Sequence, residues 1–248
     1  MSGFEAAVTA LPPGCHSPLS EWPWREAWPW ARFSALRFDT GVLCEADLDS
    51  WHLSLPDRLA TAAAKRRAEF LAGRLSARHA LAELTGSPAT PAQDPERLPR
   101  WPAGTVGSIT HSRGLAAAVV AGQEACRGIG LDAEVEMTGD RARRLAPQIL
   151  VASERAWFDD LPGERQGEFL TVAFSLKESL FKALYPLVRR RFYFPHAQVT
   201  AWNADEGTVA IELLETLSPG WRAGARLTGQ VAKIDDYLLT LIAISRES

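Results

Sequence analysis

The stretch SITHSRGLAAAVVA, residues 108–121, has a polar bend followed by an apolar run, a pattern that predicts a β-hairpin. The stretch VAKIDDYLLTLIAI, residues 231–244, repeats this pattern around a turn at 235–236. Each predicted hairpin follows a segment with apolar residues at helical spacing, at 56–85 and at about 168–187. This faint internal repeat predicts an α+β fold. We expect a pseudo-twofold pair of similar lobes, each an antiparallel sheet packed with a long helix.

The predicted boundary falls between the repeats and gives two lobes, residues 1–125 and residues 126–248. The first lobe carries a segment rich in tryptophan and proline, EWPWREAWPWARF at 21–33. Because proline prevents a long helix, we interpret residues 1–31 as an irregular arm whose indole rings pack on the body. Further strands are expected at 31–39, 128–136, 197–203, 207–215 and 223–234, and a further helical region is expected from about Ser153.

The composition is that of an ordinary globular protein, with 46% hydrophobic and 23% charged residues. The net charge of −3 argues against a nucleic-acid partner, because proteins that bind nucleic acids by bulk electrostatics are basic. We find no apolar run of about 18 residues and no basic, apolar leader, so we expect no membrane partner. Cys15, Cys44 and Cys126 match no metal-binding spacing. We therefore expect free thiols in a reducing cytoplasm. For a two-lobed protein of this size we expect a monomer.

The segment GIGLDAEVE, residues 128–136, places two acids on one face of a predicted strand. Ile129 and Leu131 are expected to point into the core, and Asp132 and Glu134 are expected to point together to the other side. Two carboxylates on one face repel each other unless a cation lies between them. Their oxygen ligands suit Mg²⁺. The alternative interpretation is a solvated acidic strand end.

The segment FSLKESLFKAL, residues 174–184, aligns Ser175, Glu178 and Lys182 on one face of a predicted helix. Taken alone, Glu178 and Lys182 have the spacing of an ordinary surface ion pair. If the acid pair of the strand lies nearby, Glu178 becomes a third carboxylate or a general base. Lys182 then becomes a cation near a phosphate.

Two further groups of side chains suit phosphate. The segment KRRAEFLAGRLSAR, residues 65–78, carries Arg66 and Arg74, and arginine forks bind phosphate well. The bend of the first hairpin is expected to present further donors to phosphate oxygens, namely Ser108, Thr110, His111, Ser112 and Arg113. A basic helix face and an incidental turn histidine are the alternatives. Together with the carboxylates, these groups predict a Mg²⁺-dependent site for a polyphosphate ligand.

Four stretches follow one another in a familiar order: KRRAEFLAGR (65–74), WPAGTVGSITH (101–111), GIGLDAE (128–134) and FSLKESLFKA (174–183). Together they resemble the 4′-phosphopantetheinyl transferases, in the branch of enterobactin synthase component D and the surfactin-type enzymes. The resemblance implies a two-lobed α+β fold with coenzyme A and Mg²⁺, or Mn²⁺ in its place, in the seam. It also implies transfer of the phosphopantetheine arm of coenzyme A to a serine of an apo acyl or peptidyl carrier protein. The implied by-product is adenosine 3′,5′-bisphosphate.

The resemblance also assigns roles to residues of this chain. The implied metal ligands are Asp132, Glu134 and Glu178. The implied catalytic groups are Glu178 as the base, Lys182 at the transferring phosphate, and His111. The predicted coenzyme A contacts are Arg66, Arg74, Ser108, Thr110, His111, Asp132 and Lys182, with the two arginines at the 3′-phosphate end.

The same residues allow two other functions, a nuclease and a binding module, and a further segment suits the docking of a carrier protein. A Mg²⁺-dependent nuclease also combines acids with a lysine, but the net charge and the position of Lys182 count against it. A module that binds coenzyme A or a carrier without catalysis would have no need of Glu178. Carriers are acidic and helical, so Phe192, Tyr193 and Phe194 after the basic run at 189–191 are candidates for docking. Simple packing of these aromatic residues is the alternative.

Overall fold

The computed structural model describes residues 11–42, 53 and 55–246. Cys44, one of the three predicted thiols, lies outside these residues, whereas Cys15 and Cys126 are buried thiols. None of the helices within the described ranges combines the length and the apolarity that crossing a membrane requires. The cytoplasmic location and the monomeric state expected from the sequence stay predictions.

The backbone contacts divide the described chain into two compact units. The first unit contains the residues up to Trp22 and those of Pro29–Gly122, and the second contains Pro23–Trp28 and the residues from Gln123 onward. The lobes predicted from the sequence, 1–125 and 126–248, stay a prediction.

The tryptophan-rich segment Pro23–Trp28 is held in the second unit by polar contacts. The backbone N–H of Glu26 donates to Gln230 Oε1 at 3.0 Å, and Arg25 donates to the carbonyl of Asp205 at 3.3 Å. Trp24 is buried, as expected for an arm that packs its indole rings. The arm is not irregular throughout, however, because Cys15–Leu19 forms a strand that pairs with the strand at 31–38.

The first unit is an antiparallel sheet packed on one long helix. The order of its strands is β1-β2-β6-β5. The sheet strands are β1 (Cys15–Leu19), β2 (Ala31–Phe38), β5 (Thr105–Ser112) and β6 (Leu115–Gly122), and β3 (Ala92–Gln93) pairs separately with β4 (Pro99–Arg100). The helix predicted at 56–85 is divided into α1 (Asp57–Ala60) and α2 (Ala64–Thr85). Gly86 ends α2 in the left-handed conformation, with φ of 73°, which glycine adopts without strain.

The predicted hairpin is present as β5 and β6, and its turn is two residues long. Arg113 and Gly114 have φ of 41° and 87°, the left-handed values of a two-residue hairpin turn. Ser108, Thr110, His111 and Ser112 therefore lie within β5, and the prediction that they cluster with Arg113 at the tip is wrong. Alternation along the strand places His111 on one face and the other three on the opposite face.

The second unit is a five-stranded antiparallel sheet packed on the other long helix. The order of its strands is β7-β11-β10-β9-β8. The strands are β7 (Cys126–Val135), β8 (Ala197–Asn203), β9 (Thr208–Leu213), β10 (Arg226–Ile234) and β11 (Tyr237–Ser245). The helices are α3 (Gly139–Ile149), α4 (Ala152–Asp160) and α5 (Gly163–Val188), with a short 3₁₀ turn at Phe194–His196.

Two glycines allow β7 and α5 to approach closely. A Cβ at Gly130 would overlap the carbonyl oxygen of Ser179, and one at Gly128 would lie 2.6 Å from the carbonyl oxygen of Ala183. By alternation, Asp132 lies on this same face of the strand. The helix thus covers the face that carries the acid, and the prediction that Asp132 points away from the core is wrong.

Candidate active site

Hydroxyl groups fix α5 against the sheet beside the acid. Ser175 Oγ lies 2.9 Å from Thr240 Oγ1, and Ser179 Oγ donates to the carbonyl of Thr240 at 3.0 Å. Thr240 pairs with Asp132 in the register of β11 and β7. These contacts bring the helix turn that carries Glu178 and Lys182 next to the acid on β7. Ser175, which the helical spacing grouped with Glu178 and Lys182, is therefore buried and positions the helix.

Lys182 and Asp132 form an ion pair between α5 and β7. Lys182 Nζ donates to Asp132 Oδ1 at 2.7 Å and to the carbonyl of Leu131 at 3.0 Å. The Lys182 side chain is 26% exposed and that of Asp132 is 7% exposed. The structure therefore brings together these two predicted site residues.

Glu178 lies one helical turn before Lys182 and is half-buried. Burial raises the pKa of its carboxyl group, Lys182 opposes this effect, and the negative charge of Asp132 adds to it. Helical spacing places Glu178 on the same side of α5 as Lys182, which contacts Asp132. A carboxyl group with a raised pKa is suited to accept a proton from a substrate near neutral pH.

The fit of a metal ion depends on the three predicted ligands. Glu134 is half-buried on the same face of β7 as Asp132. Carboxylate oxygens are the donors that Mg²⁺ prefers, so the chemistry of this donor set fits the ion. Within the ranges that the structure describes, no three His, Cys, Asp or Glu side chains gather to hold a metal ion. In this conformation the cation beside Asp132 is the Lys182 ammonium group.

An apolar groove adjoins Glu178. The groove has a volume of about 230 Å³ and is lined by Lys177, Glu178, Leu180, Phe181, Arg191, Phe192, Tyr193, Phe194 and Ala197. Phe192 is buried with its ring 5.2 Å from that of Phe181, and Phe194 packs 5.4 Å from Phe174. Tyr193 is 64% exposed. Of the three aromatic residues predicted for docking, two therefore pack and one presents its ring to solvent.

A second ion pair on α5 was not predicted from the sequence. Lys177 Nζ lies 2.6 Å from Glu154 Oε2, and both side chains are buried. Burial lowers the pKa of Lys177, and the negative charge of Glu154 opposes that effect. The pair joins residues that are far apart in the sequence, so only the position of Lys177 beside Glu178 could have drawn attention to it.

In the first unit, α2 and β5 bring Arg66 and His111 together. Arg66 Nη1 lies 3.2 Å from His111 Nε2 and 3.3 Å from Glu69 Oε2. The Arg66 side chain is largely exposed, so its guanidinium can contact a ligand. Ser108 and Thr110 are buried on the other face of β5, separated from this pair by the thickness of the sheet.

Arg74 is buried and lines a cavity of the first unit. Its side chain stacks over the Phe70 ring at 4.6 Å. Its Nε has no hydrogen-bond partner within the described residues. Burial and the nearby Arg58 lower its pKa to about 10, so the group remains charged at neutral pH. A buried cation with an unsatisfied donor is a favourable place for an anion.

The cavity beside Arg74 has a volume of about 670 Å³. Arg58 and Arg97 also line it, and Arg58 donates to the side chain of Gln93. Sequence reasoning missed the role of Arg58, which lies just before the arginine-rich helix. Because these cations come from separate segments, their convergence could be recognised only in the folded structure.

Comparisons with known proteins show the family of the chain. Residues 55–121 match the 4′-phosphopantetheinyl transferase N-terminal domain, and residues 128–242 match the 4′-phosphopantetheinyl transferase superfamily. The chain is 42% identical over 220 residues to enterobactin synthase component D of Salmonella typhimurium, and the match covers 87% of each chain.

Two actinobacterial relatives extend this similarity. The 4′-phosphopantetheinyl transferase Svp of Streptomyces mobaraensis is 35% identical over 193 residues, which cover 75% of this chain and 76% of the relative. The 4′-phosphopantetheinyl transferase Npt of Nocardia iowensis is 32% identical over 193 residues, which cover 75% and 85%. The chain thus belongs to the 4′-phosphopantetheinyl transferase superfamily and is a transferase enzyme.

Proposed function

We propose that the protein transfers the 4′-phosphopantetheine arm of coenzyme A to a serine of an apo carrier protein and requires Mg²⁺. The observation that carries the proposal is the contact of α5 with β7. There Lys182 pairs with Asp132, and Glu178, one helical turn before Lys182, lines an apolar groove, in a chain of this family. Adenosine 3′,5′-bisphosphate is the second product.

Glu178 is the general base. The carrier serine oxygen forms a bond to the phosphorus that bears pantetheine, and the bond from that phosphorus to the bridging oxygen breaks. The serine proton passes to the Glu178 carboxylate, and the bridging oxygen leaves with the adenosine bisphosphate. A base with a raised pKa accepts this proton more readily than an ordinary glutamate.

Lys182 and the three acids neutralise the negative charge of the diphosphate, the lysine directly and the acids by holding Mg²⁺. The Lys182 ammonium group is partly exposed and can donate to a phosphate oxygen. The residues that would hold Mg²⁺ are Asp132, Glu134 and Glu178. When bound, the ion would offset negative charge on the diphosphate and on the leaving oxygen.

The basic sites of the first unit suit the nucleotide end of coenzyme A. Arg66 and His111 offer nitrogen atoms to phosphate oxygens. Arg74, with its unsatisfied Nε, suits the 3′-phosphate. We expect Arg74→Gln to raise the KM for coenzyme A about 10-fold to 100-fold, the effect of one charged hydrogen-bond donor. The same variant should match the wild type with dephospho-coenzyme A, which lacks that phosphate.

The groove beside Glu178 suits the carrier. Tyr193 offers an exposed aromatic ring at its rim, and Arg191 lies at the same rim with its guanidinium 5.9 Å from the Tyr185 ring. An aromatic ring next to a cation suits a helical partner that is acidic and has one apolar anchor. A serine bound there would lie near the Glu178 carboxylate.

The deciding experiment measures the intact mass of an apo carrier incubated with the protein, coenzyme A and Mg²⁺. We expect a gain of one phosphopantetheine arm, and EDTA should abolish it. Glu178→Ala should abolish turnover while coenzyme A still binds. Glu164→Ala, on the exposed first turn of the same helix, is the matched control and should retain full turnover.

Three results would argue against the proposal. Transfer that persists in Glu178→Ala would remove the base assignment. Coenzyme A binding without transfer to fatty-acid or peptidyl carriers would favour the binding module. Cleavage of DNA in the presence of Mg²⁺ would favour the nuclease, which the family assignment does not support.

The docking surface has a separate test. Tyr193→Ala should raise the KM for the carrier and leave the KM for coenzyme A unchanged, because we assign the exposed Tyr193 ring to the carrier and not to coenzyme A. Leu214→Ala removes another exposed apolar side chain of the second unit and is the control. Equal effects of the two variants would place the carrier elsewhere.

A further inference from the structure

Neither oxygen of Asp132 is open to an ion that arrives from solvent. Oδ1 accepts a hydrogen bond from Lys182 Nζ at 2.7 Å, and Oδ2 is buried away from solvent. Asp132 as a whole is 5% exposed. A divalent cation can therefore reach this carboxylate only after the ammonium group has moved.

The Lys182 ammonium group is hydrogen-bonded but remains partly exposed to solvent. Its second acceptor is the carbonyl of Leu131 at 3.0 Å, so leaving Asp132 means the loss of two hydrogen bonds. The side chain is 26% exposed, which leaves it a path toward solvent. A divalent cation alone offers no replacement for these acceptors and repels the displaced ammonium group. A diphosphate offers new acceptors and negative charge.

We propose that Lys182 is the resident cation of Asp132 in the ligand-free protein. A divalent cation then binds tightly only together with the diphosphate of coenzyme A, which draws the ammonium group from Asp132. The inference rests on the proposed function and adds an order to it, since metal and coenzyme A bind as coupled ligands. Coupling of this kind is reciprocal, so each ligand raises the affinity for the other by the same factor.

The test uses Mn²⁺ as the probe and measures its binding by electron paramagnetic resonance and by calorimetry. The full-length protein is titrated with Mn²⁺ alone and then with coenzyme A present. We expect coenzyme A to raise the affinity of the wild type for Mn²⁺ by about 10-fold or more, a typical size for coupling between two sites.

Three variants separate the causes. Lys182→Gln removes the resident charge, and we expect it to bind Mn²⁺ without coenzyme A about 10-fold more tightly than the wild type does. Lys182→Arg keeps the charge and should behave as the wild type in the ligand-free state. Lys233→Gln removes a different lysine of the second unit, paired with Glu136 and Glu168, and should leave Mn²⁺ binding unchanged.

Two outcomes would overturn the inference. One is equal affinity of Lys182→Gln and the wild type for Mn²⁺ in the absence of coenzyme A. The other is an equal gain in Lys182→Arg and Lys182→Gln, which would show that charge is not the cause. Both comparisons omit coenzyme A, so they decide the inference even if the proposed function fails. That failure would appear separately, as an absence of coenzyme A binding to the wild type in the presence of Mn²⁺.

Discussion

Two lysines five residues apart on α5 form ion pairs of nearly equal length but different surroundings. Lys177 lies 2.6 Å from Glu154, and Lys182 lies 2.7 Å from Asp132. The first pair is buried, with side-chain exposures of 2% and 0%, whereas Lys182 is 26% exposed. The length of an ion pair therefore does not separate the structural pair from the pair that we propose to act on the substrate.

The difference lies in how the remaining donors and acceptors are satisfied. The Lys177–Glu154 pair has four further partners: the carbonyls of Ile149 and Phe194, and the backbone N–H groups of Val151 and Val199. These contacts connect the end of α3, the start of α4, the 3₁₀ turn and the start of β8 to the middle of α5. Among the described residues, Lys182 has one further partner, the carbonyl of Leu131, and its side chain is partly exposed to solvent. The buried Lys177–Glu154 pair is therefore expected to stay intact. The partly exposed Lys182 is expected to be able to leave Asp132 for another anion.

The largest expected effect is the loss of stability in Lys177→Met. The variant leaves the Glu154 carboxylate buried without its counter-charge, which costs about 3–5 kcal/mol of unfolding free energy. Urea unfolding of the metal-free protein measures this loss. The double variant Lys177→Met with Glu154→Leu should recover much of it, because an apolar pair has no charge to bury. A single variant as stable as the wild type would contradict the structural role.

Lys182→Gln should lose transfer activity but little stability, the reverse of what we expect for Lys177→Met. We expect the rate of phosphopantetheine transfer to fall about 10²-fold to 10³-fold, because a cation at the transferring phosphate is lost. Its unfolding free energy should change less than that of Lys177→Met, since Lys182 is 26% exposed and the glutamine amide can still donate a hydrogen bond to the buried Asp132 carboxylate. Parallel mass-spectrometric assays and urea unfolding give both values. If Lys182→Gln unfolds as readily as Lys177→Met, the contrast between the two pairs is lost.

Glu178 extends the comparison to pH. Its folded-state pKa is raised above the ordinary 4.5, mainly by burial, so its protonated form favours the folded state. That stability is fully present below the unfolded pKa and is lost as pH rises through the folded pKa. Glu178→Gln keeps a neutral side chain at every pH. In EDTA the variant should therefore have a higher Tm than the wild type at about pH 7.5, and the difference should vanish at about pH 3.5, below the unfolded pKa.

A flat Tm difference across this pH range would show that the buried carboxylate carries no cost in the folded state. The expected gain in stability would accompany loss of transfer, as is common where an active site holds a strained or buried polar group.

Local sequence patterns predicted most helices and strands, whereas the side-chain pairs between them depend on long-range packing. The spacing of leucine and phenylalanine on α5 and the two hairpins were visible in the sequence. The helix α3 was missed, because its buried stripe is Ala142, Ala146 and Ile149, which lacks the large apolar residues that mark a helix. The acids and Lys182 were recognised by their motifs. Their pairing was not, because alternation along β7 cannot say which face the helix covers.

The smallest expected effect concerns Lys233, a third lysine pair of the second unit. Lys233 Nζ lies 3.1 Å from Glu136 and 2.9 Å from Glu168, and its side chain is 52% exposed. Burial lowers the pKa of Lys233, but its hydrogen bonds to Glu168 and Glu136 outweigh burial and raise it. Because water screens an exposed pair, Lys233→Gln should cost about 1 kcal/mol at most. The loss should be measurable by urea unfolding at low ionic strength and should vanish in about 1 M salt, where the Debye length is about 3 Å. A loss that persists in high salt would mean that Lys233 resembles the buried Lys177, and exposure would then not be what separates the lysine pairs of this protein.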